Sequence, residues 1–224
     1  MSEAAARDST PHHPTWAEEI VHAITHGVGA IGSIVVLVML VGLAATHGST
    51  QNVVAASVFG ASLLGVYLSS TVYHAVPRGW ERTKGVLQII DHAAIHFLIA
   101  GTSTPFALVA IGGSVGWILL AVIWSLALAG VIVETTPLRR YAKLSMGFYL
   151  GNGWVGVLAL PLLWGAITTG TLVLLVGGGL AYTAGVPFFL AHRRKWMHAW
   201  WHGFVLAGSG LHVAAIALVL ASHG

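Results

Sequence analysis

Apolar residues in this chain run in long blocks, not in the strict alternation of a half-buried strand. With charges, prolines and glycine-rich breaks as punctuation, seven blocks separate at about 20–46, 52–75, 86–111, 115–134, 143–164, 167–190 and 198–221. A helix needs about 20 predominantly apolar residues to cross a bilayer core of about 30 Å. Every block meets that length. Pro77 helps to end the second block, and the breaks around 48–51, 112–114 and 165–170 carry no charge. The pattern predicts an all-α fold, a seven-transmembrane helix bundle over residues 20–224, with no soluble domain or internal repeat. Residues 1–19 hold four acids, two prolines and no apolar core. They do not read as a signal peptide, and a short mobile tail is expected there.

Composition agrees with lipid as the solvent. The 224 residues are 56% hydrophobic and 8% charged, with a mean hydropathy of +0.83. Soluble domains carry about a quarter charged residues, so a soluble enzyme is excluded. Without cysteine there is no disulfide framework and no thiolate metal site. The 28 glycines suit close helix packing in lipid. A phosphate-binding loop is disfavoured, because no strand precedes Gly177–Gly179 and no Lys-Ser/Thr follows.

The sequence pI near 9.5 would suggest nucleic acid in a soluble protein. Here no nucleic-acid partner is implied, because the ten Lys/Arg follow a topological rule. Arg7 lies in the tail; Arg78, Arg82 and Lys84 lie between blocks two and three. Arg139, Arg140 and Lys143 follow block four, and Arg193, Arg194 and Lys195 follow block six. Seven crossings put all four groups on one side. The expected topology is N-terminus in the cytoplasm and C-terminus outside, in a multi-pass protein of the cell membrane.

Ionisable groups inside a span are costly and usually functional. Asp91 sits about 8 Å of helix rise into the third block, and that block supplies no Lys or Arg to pair with it. A bond to a hydroxyl or imidazole on a neighbouring helix is the competing, purely structural reading. The seventh block opens with His198-Ala-Trp-Trp-His202, two histidines one turn apart on one face. That is metal-binding spacing, although such a pair around two tryptophans also suits an interfacial belt. The second block ends with Ser70 and His74, again one turn apart. Each alone also reads as a helix-end residue, with Ser70 bonded to its own backbone.

Depth joins them. His74 closes one helix at the cationic side; Asp91, His198 and His202 open others from that side. Three imidazoles and an open fourth position describe a catalytic-type zinc site, with iron or nickel also compatible with the donors. Asp91 would hold or deprotonate a water, and Ser70 would bond a neighbouring group or a substrate oxygen. His22 and His26, one turn apart in the first block, are expected to make helix–helix hydrogen bonds, with a supporting role around the metal as the alternative. His92 and His96 are expected to turn away from Asp91, and His212 to lie too deep. His12, His13, His47, His192 and His223 read as tail or loop residues. Glu18 and Glu19 suit the positive end of the first helix dipole. Glu134 is expected to be solvated, or paired with Arg139 or Arg140.

These residues closely resemble the bacterial hemolysin III family, which is related to the progestin and adipoQ receptors and more distantly to alkaline ceramidases. The matching stretches are EEIVHAITHGVGAIGS (18–33), SSTVYHAVP (69–77), IIDHAAIHFLIAGTSTPF (89–106), AYTAGVPFF (181–189) and MHAWWHGFVLAGSGLH (197–212). The resemblance implies a seven-helix bundle with its N-terminus inside, the reverse of G-protein-coupled receptors. It also implies a zinc ion on His74, His198 and His202, with Asp91 contacting zinc through water. Three functions are compatible with it: a zinc-dependent hydrolase of a lipid amide or ester, with Asp91 and Ser70 catalytic; a pore-forming cytolysin; and a receptor-like sensor of membrane state with structural zinc. The expected partner is a membrane lipid or lipid-like substrate. The sequence leaves the oligomeric state open.

Overall fold

The computed structural model describes residues 14–77 and 79–223, the side chains of His47 and Ala142 excepted. The expected tail up to residue 13, with Arg7, His12 and His13, lies outside the described residues, as do Arg78 and the His47 side chain. Among the described residues the chain is all-helical and forms no strand: α1 (Trp16–His47), α2 (Thr50–Ala75), α3 (Glu81–Pro105), α4 (Gly113–Thr135), α5 (Ala142–Leu158), α6 (Leu160–Leu163), α7 (Thr169–Leu190) and α8 (Met197–Ser222). A π-helical stretch, Phe106–Ile111, prolongs α3 past Pro105, and a 3₁₀ turn, Pro137–Arg140, follows α4.

Six of these helical stretches are long and apolar enough to cross a membrane: α1, α2, α3 with its π-helical extension, α4, α7 and α8. The fifth predicted block behaves differently. Instead of one helix over 143–164, α5 stops at Leu158 and the one-turn α6 follows. Pro161 explains the break, since it has no N–H to bond the carbonyl four residues back and its ring crowds that carbonyl. The Ala159 N–H already turns to Gly156 O at 3.0 Å, tightening the last turn.

Lipid inverts the usual helix pattern, as α1 shows. Ile24, Ile31 and Val38 on its outer stripe are 61%, 69% and 67% exposed, while Glu19, His22, His26 and Ser33 on the opposite face are buried. The apolar stripe faces hydrocarbon, and the polar one faces α2 and α8. Neighbouring helices run round a ring from α1 through α2, α3, α4 and α5 to α7 and α8, and α8 closes back on α1; the seam between α5 and α7 is the thinnest. The main apolar core lies where α1, α2, α3 and α8 meet, around Phe59, Leu63, Leu98, Ile216 and Val219. Glycine sets the spacing at two crossings. A Cβ at Gly130 would fall inside the His96 ring, and one at Gly178 inside the His212 ring.

Candidate metal centre

One end of the bundle collects the histidines. α1 starts there, α2 ends there, and α3 and α8 start there. Thr15 caps α1 in a reciprocal box with Glu18, whose Oε2 accepts from the Thr15 N–H at 2.8 Å. The other Glu18 oxygen, Oε1, accepts the Trp196 N–H at 2.8 Å. Trp196 is the only non-glycine described residue with positive φ (65°), and it immediately precedes α8. Glu18 therefore ties the first turn of α1 to the strained residue that aims His198 and His202.

Each ring in the site is set by a different contact. His74 Nδ1 lies 2.7 Å from Glu19 Oε2, and Lys84 Nζ donates to the other oxygen at 2.6 Å. A carboxylate only accepts, so His74 Nδ1 carries a proton, and in the neutral ring Nε2 is the nitrogen with the lone pair. That Nε2 is buried and has no partner. His202 is held similarly. The Thr25 hydroxyl donates to the carbonyl of Val21 (2.8 Å) or His22 (2.9 Å), so it accepts from His202 Nδ1 at 3.1 Å. His202 Nε2 is then the nitrogen with a free lone pair. His198 Nδ1 is buried without a partner.

Ligand atoms of His74, His198 and His202 lie within 4.8 Å of one another, and so do those of Glu19, His22 and His74. Either set could hold a metal ion; Glu19, His22, His74 and His202 are buried and His198 is half-buried. Leaving a buried donor or acceptor unpaired costs about 1–3 kcal/mol, and in this end of the bundle the unpaired nitrogens converge. The donor chemistry suits a borderline divalent ion. The carboxylate on His74 is the support that metal-bound imidazoles commonly receive.

Asp91 and Ser70, each predicted from its span, face one another across α3 and α2. Together with His26, His92, His198 and His202 they line a cavity of about 40 Å³, room for about three waters at roughly 10–15 Å³ each. A second cavity of about 160 Å³ borders it, lined mostly by apolar residues of α3 and its π-helical extension, α4, α5, α6, α7 and α8. Ile95, Leu98, Tyr182 and Trp201 border both.

Several expectations need correcting. His22 and His26 make no helix–helix hydrogen bond: all four of their ring nitrogens are buried without a partner. They belong to the cluster, with His26 stacked on His202 at 3.5 Å between centroids and His22 within 4.8–5.1 Å of His74, His198 and His202. Their one-turn spacing was the same signal that marked His198 and His202. Glu19 faces His74 and Lys84, beyond any dipole role. His92 does not turn away; it borders the small cavity beside Asp91. Glu134 is neither solvated nor paired with Arg139 or Arg140. It is 1% exposed, accepts from Tyr149 Oη at 2.9 Å and lies 3.5 Å from His92 Nδ1. His212 sits deeper, on the large cavity, bonded to Leu175 O at 3.0 Å.

Comparison with known proteins bears out the family resemblance. The family described as Haemolysin-III related matches residues 14–213. Hemolysin-3 homolog of Bacillus subtilis (strain 168) is 43% identical over 195 residues, covering 87% of this chain and 91% of that protein. Hemolysin-3 of Bacillus cereus is 43% identical over 194 residues, covering 87% and 88%. Human monocyte to macrophage differentiation factor is 26% identical over 214 residues, covering 92% and 85%. The chain is a multi-pass membrane protein and belongs to the hemolysin III family.

Proposed function

We propose that this is a zinc protein in which His74, His198 and His202 hold the ion and the site hydrolyses an amide or ester of a lipid-like molecule. The observation that carries this reading is the pairing of cavities: imidazoles, a carboxylate and a hydroxyl on the wall of a small cavity, with a larger apolar one bordering it. Zinc on three histidines supplies Lewis acidity and a water acidic enough to attack near neutral pH. Asp91 borders the same space and takes the proton as general base, then returns it to the leaving group. Ser70 donates toward the substrate carbonyl as negative charge develops there. Ile95, Leu98 and Trp201 hold the apolar part of the substrate against the wall common to both cavities. Tyr182 borders both spaces and spans the polar and apolar parts.

In the bilayer we place α1 with its start in the cytoplasm. The described cations then sit at the site end, and α5 with α6 makes a seventh, interrupted crossing. Two observations support that crossing: Tyr149 of α5 reaches His92 and Glu134 at the site end, and α7 runs back alongside α8 to the same end. The names of the bacterial relatives suggest lysis. A cavity of about 40 Å³ with largely apolar walls, bordered by a larger apolar one, suits a lipid at a metal better than an ion path.

Metal analysis of purified protein tests the site. About one zinc per chain is expected, falling in both His198→Ala and His202→Ala. A metal-free wild type would sink the site. Zinc-loaded protein in native lipid should release fatty acid or amine from an amide or ester in a broad lipid extract, and Asp91→Asn should not. No turnover in that extract, where a ceramidase is active, would leave a metal protein without hydrolysis.

A further inference from the structure

The histidine cluster contains more donors than one ion on three histidines uses. Glu19, His22 and His74 are all buried, and their ligand atoms lie within 4.8 Å of one another. His22 is 1% exposed, and neither of its ring nitrogens has a partner. It does not lie with the cavity-lining residues, so substrate binding does not account for it. Its ring stands 4.8 Å from that of His74, 4.9 Å from His198 and 5.1 Å from His202. Lys84, at the start of α3 and partly exposed, neutralises Glu19 from the outer side at 2.6 Å.

We infer that Glu19, His22 and His74 form a second, outer position for a divalent borderline metal ion, sharing His74 with the inner triad, so that an ion reaches His198 and His202 by way of His22. The inference rests on the reading of His74, His198 and His202 as the inner site. Two nitrogens and a carboxylate oxygen suit the same ions as three nitrogens, but bind them less tightly beside a competing ammonium. His74 meets the outer carboxylate through Nδ1, and its Nε2 is buried without a partner. An ion in the outer position takes the place of the His74 Nδ1 proton, which shifts to Nε2; a neutral imidazole has one lone pair, so one ion occupies one position at a time. Lys84 fills the charge of Glu19 when the outer position is empty and withdraws toward solvent when an ion arrives.

Zn²⁺ titration of the full chain in lipid nanodiscs, read by competition with a chromophoric chelator, tests this. Wild type should take one tight equivalent. His198→Ala/His202→Ala should retain one equivalent bound at least about 100-fold more weakly, through the outer donors. Adding His22→Ala should abolish that residual binding, and adding Lys84→Met should instead tighten it about tenfold by removing the competing charge. In the otherwise wild-type chain, His22→Ala should keep the tight equivalent but load Zn²⁺, and release it to chelator, at least about tenfold more slowly. The inference is overturned if the double variant binds no Zn²⁺, if His22→Ala leaves its residual binding intact, or if Lys84→Met fails to tighten it. Faster release from His22→Ala would also overturn it, by making His22 a direct ligand of the inner ion. A wild type that takes up no Zn²⁺ would fail the underlying reading as well.

Discussion

Two regions of this bundle bury histidine beside carboxylate, and they solve the problem in opposite ways. Between α3, α4 and α5, Glu134 is satisfied by Tyr149 and lies beside His92, and His96 packs its ring against Tyr149 and Gly130. No three of those donors converge within ligating distance. Between α1, α2 and α8, Glu19 orients His74 and five imidazoles crowd together with unpaired nitrogens pointing inward. His96 shows that an unpaired buried imidazole alone does not make a site, since both its nitrogens also lack partners. What distinguishes the α1–α2–α8 region is convergence plus orientation by a second residue.

The sharpest way to break this comparison is to exchange roles. His74→Ala removes the ring common to both groups of ligands, and metal content should drop at least about tenfold. Glu134→Gln should leave metal content unchanged. If Glu134→Gln emptied the site as thoroughly, the two regions would be one functional unit. Glu134→Ala should instead cost stability, about 2 kcal/mol, because it removes the charged acceptor of the Tyr149 hydroxyl, which keeps only its longer bond to His92 O, and leaves a hole in the interior. Thermal unfolding in a fixed detergent measures it, with metal content determined on the same sample.

Much of this division was legible in the sequence, for reasons that also explain what escaped. Asp91 stood out because an acid in an apolar block has nowhere cheap to go, and His198 and His202 because one-turn spacing is a local property. Ser70 and His74 joined them through depth alone, which the helix boundaries supply. Glu19 and Glu134 both escaped because each lies near a block edge, where the chain offers an adequate local explanation. The actual partners, Lys84 and His74 for one and Tyr149 for the other, are set by helices that meet only in three dimensions. The broken fifth block was foreshadowed by Pro161, whose effect on a helix is known, but apolar flanks on both sides masked it.

Orientation is the next term to test. Glu19→Gln keeps the size of the side chain but no longer demands a proton on His74 Nδ1, and Thr25→Val removes the acceptor that holds His202 Nδ1. Residues that support metal ligands commonly change affinity about 10–100-fold. Glu19→Gln should fall in the upper part of that range, because its bond is shorter and charged. Thr25→Val should fall in the lower part. Chelator competition at constant pH reads both, and equal, negligible losses would mean that the histidines orient themselves by mutual packing.

The smallest expected effect concerns how the two ends of the chain's helical order are joined. Glu18 caps α1 through Thr15 and accepts the N–H of Trp196, the residue in left-handed conformation ahead of α8. Glu18→Ala removes both acceptors, and an N-terminal cap is worth about 1 kcal/mol. Stability should fall by that amount, and metal affinity should fall a few-fold as the start of α8 loosens around His198. Glu18→Gln retains an oxygen for Trp196 and should recover most of the affinity. The equivalent cut in the other region, Thr136→Ala at the end of α4, removes a hydroxyl bonded only to Val133 O within its own turn. It should leave metal affinity untouched. If both substitutions shifted affinity alike, the site would be responding to the looseness of the whole bundle. A shift confined to Glu18→Ala would mean that α1 carries the aim of α8.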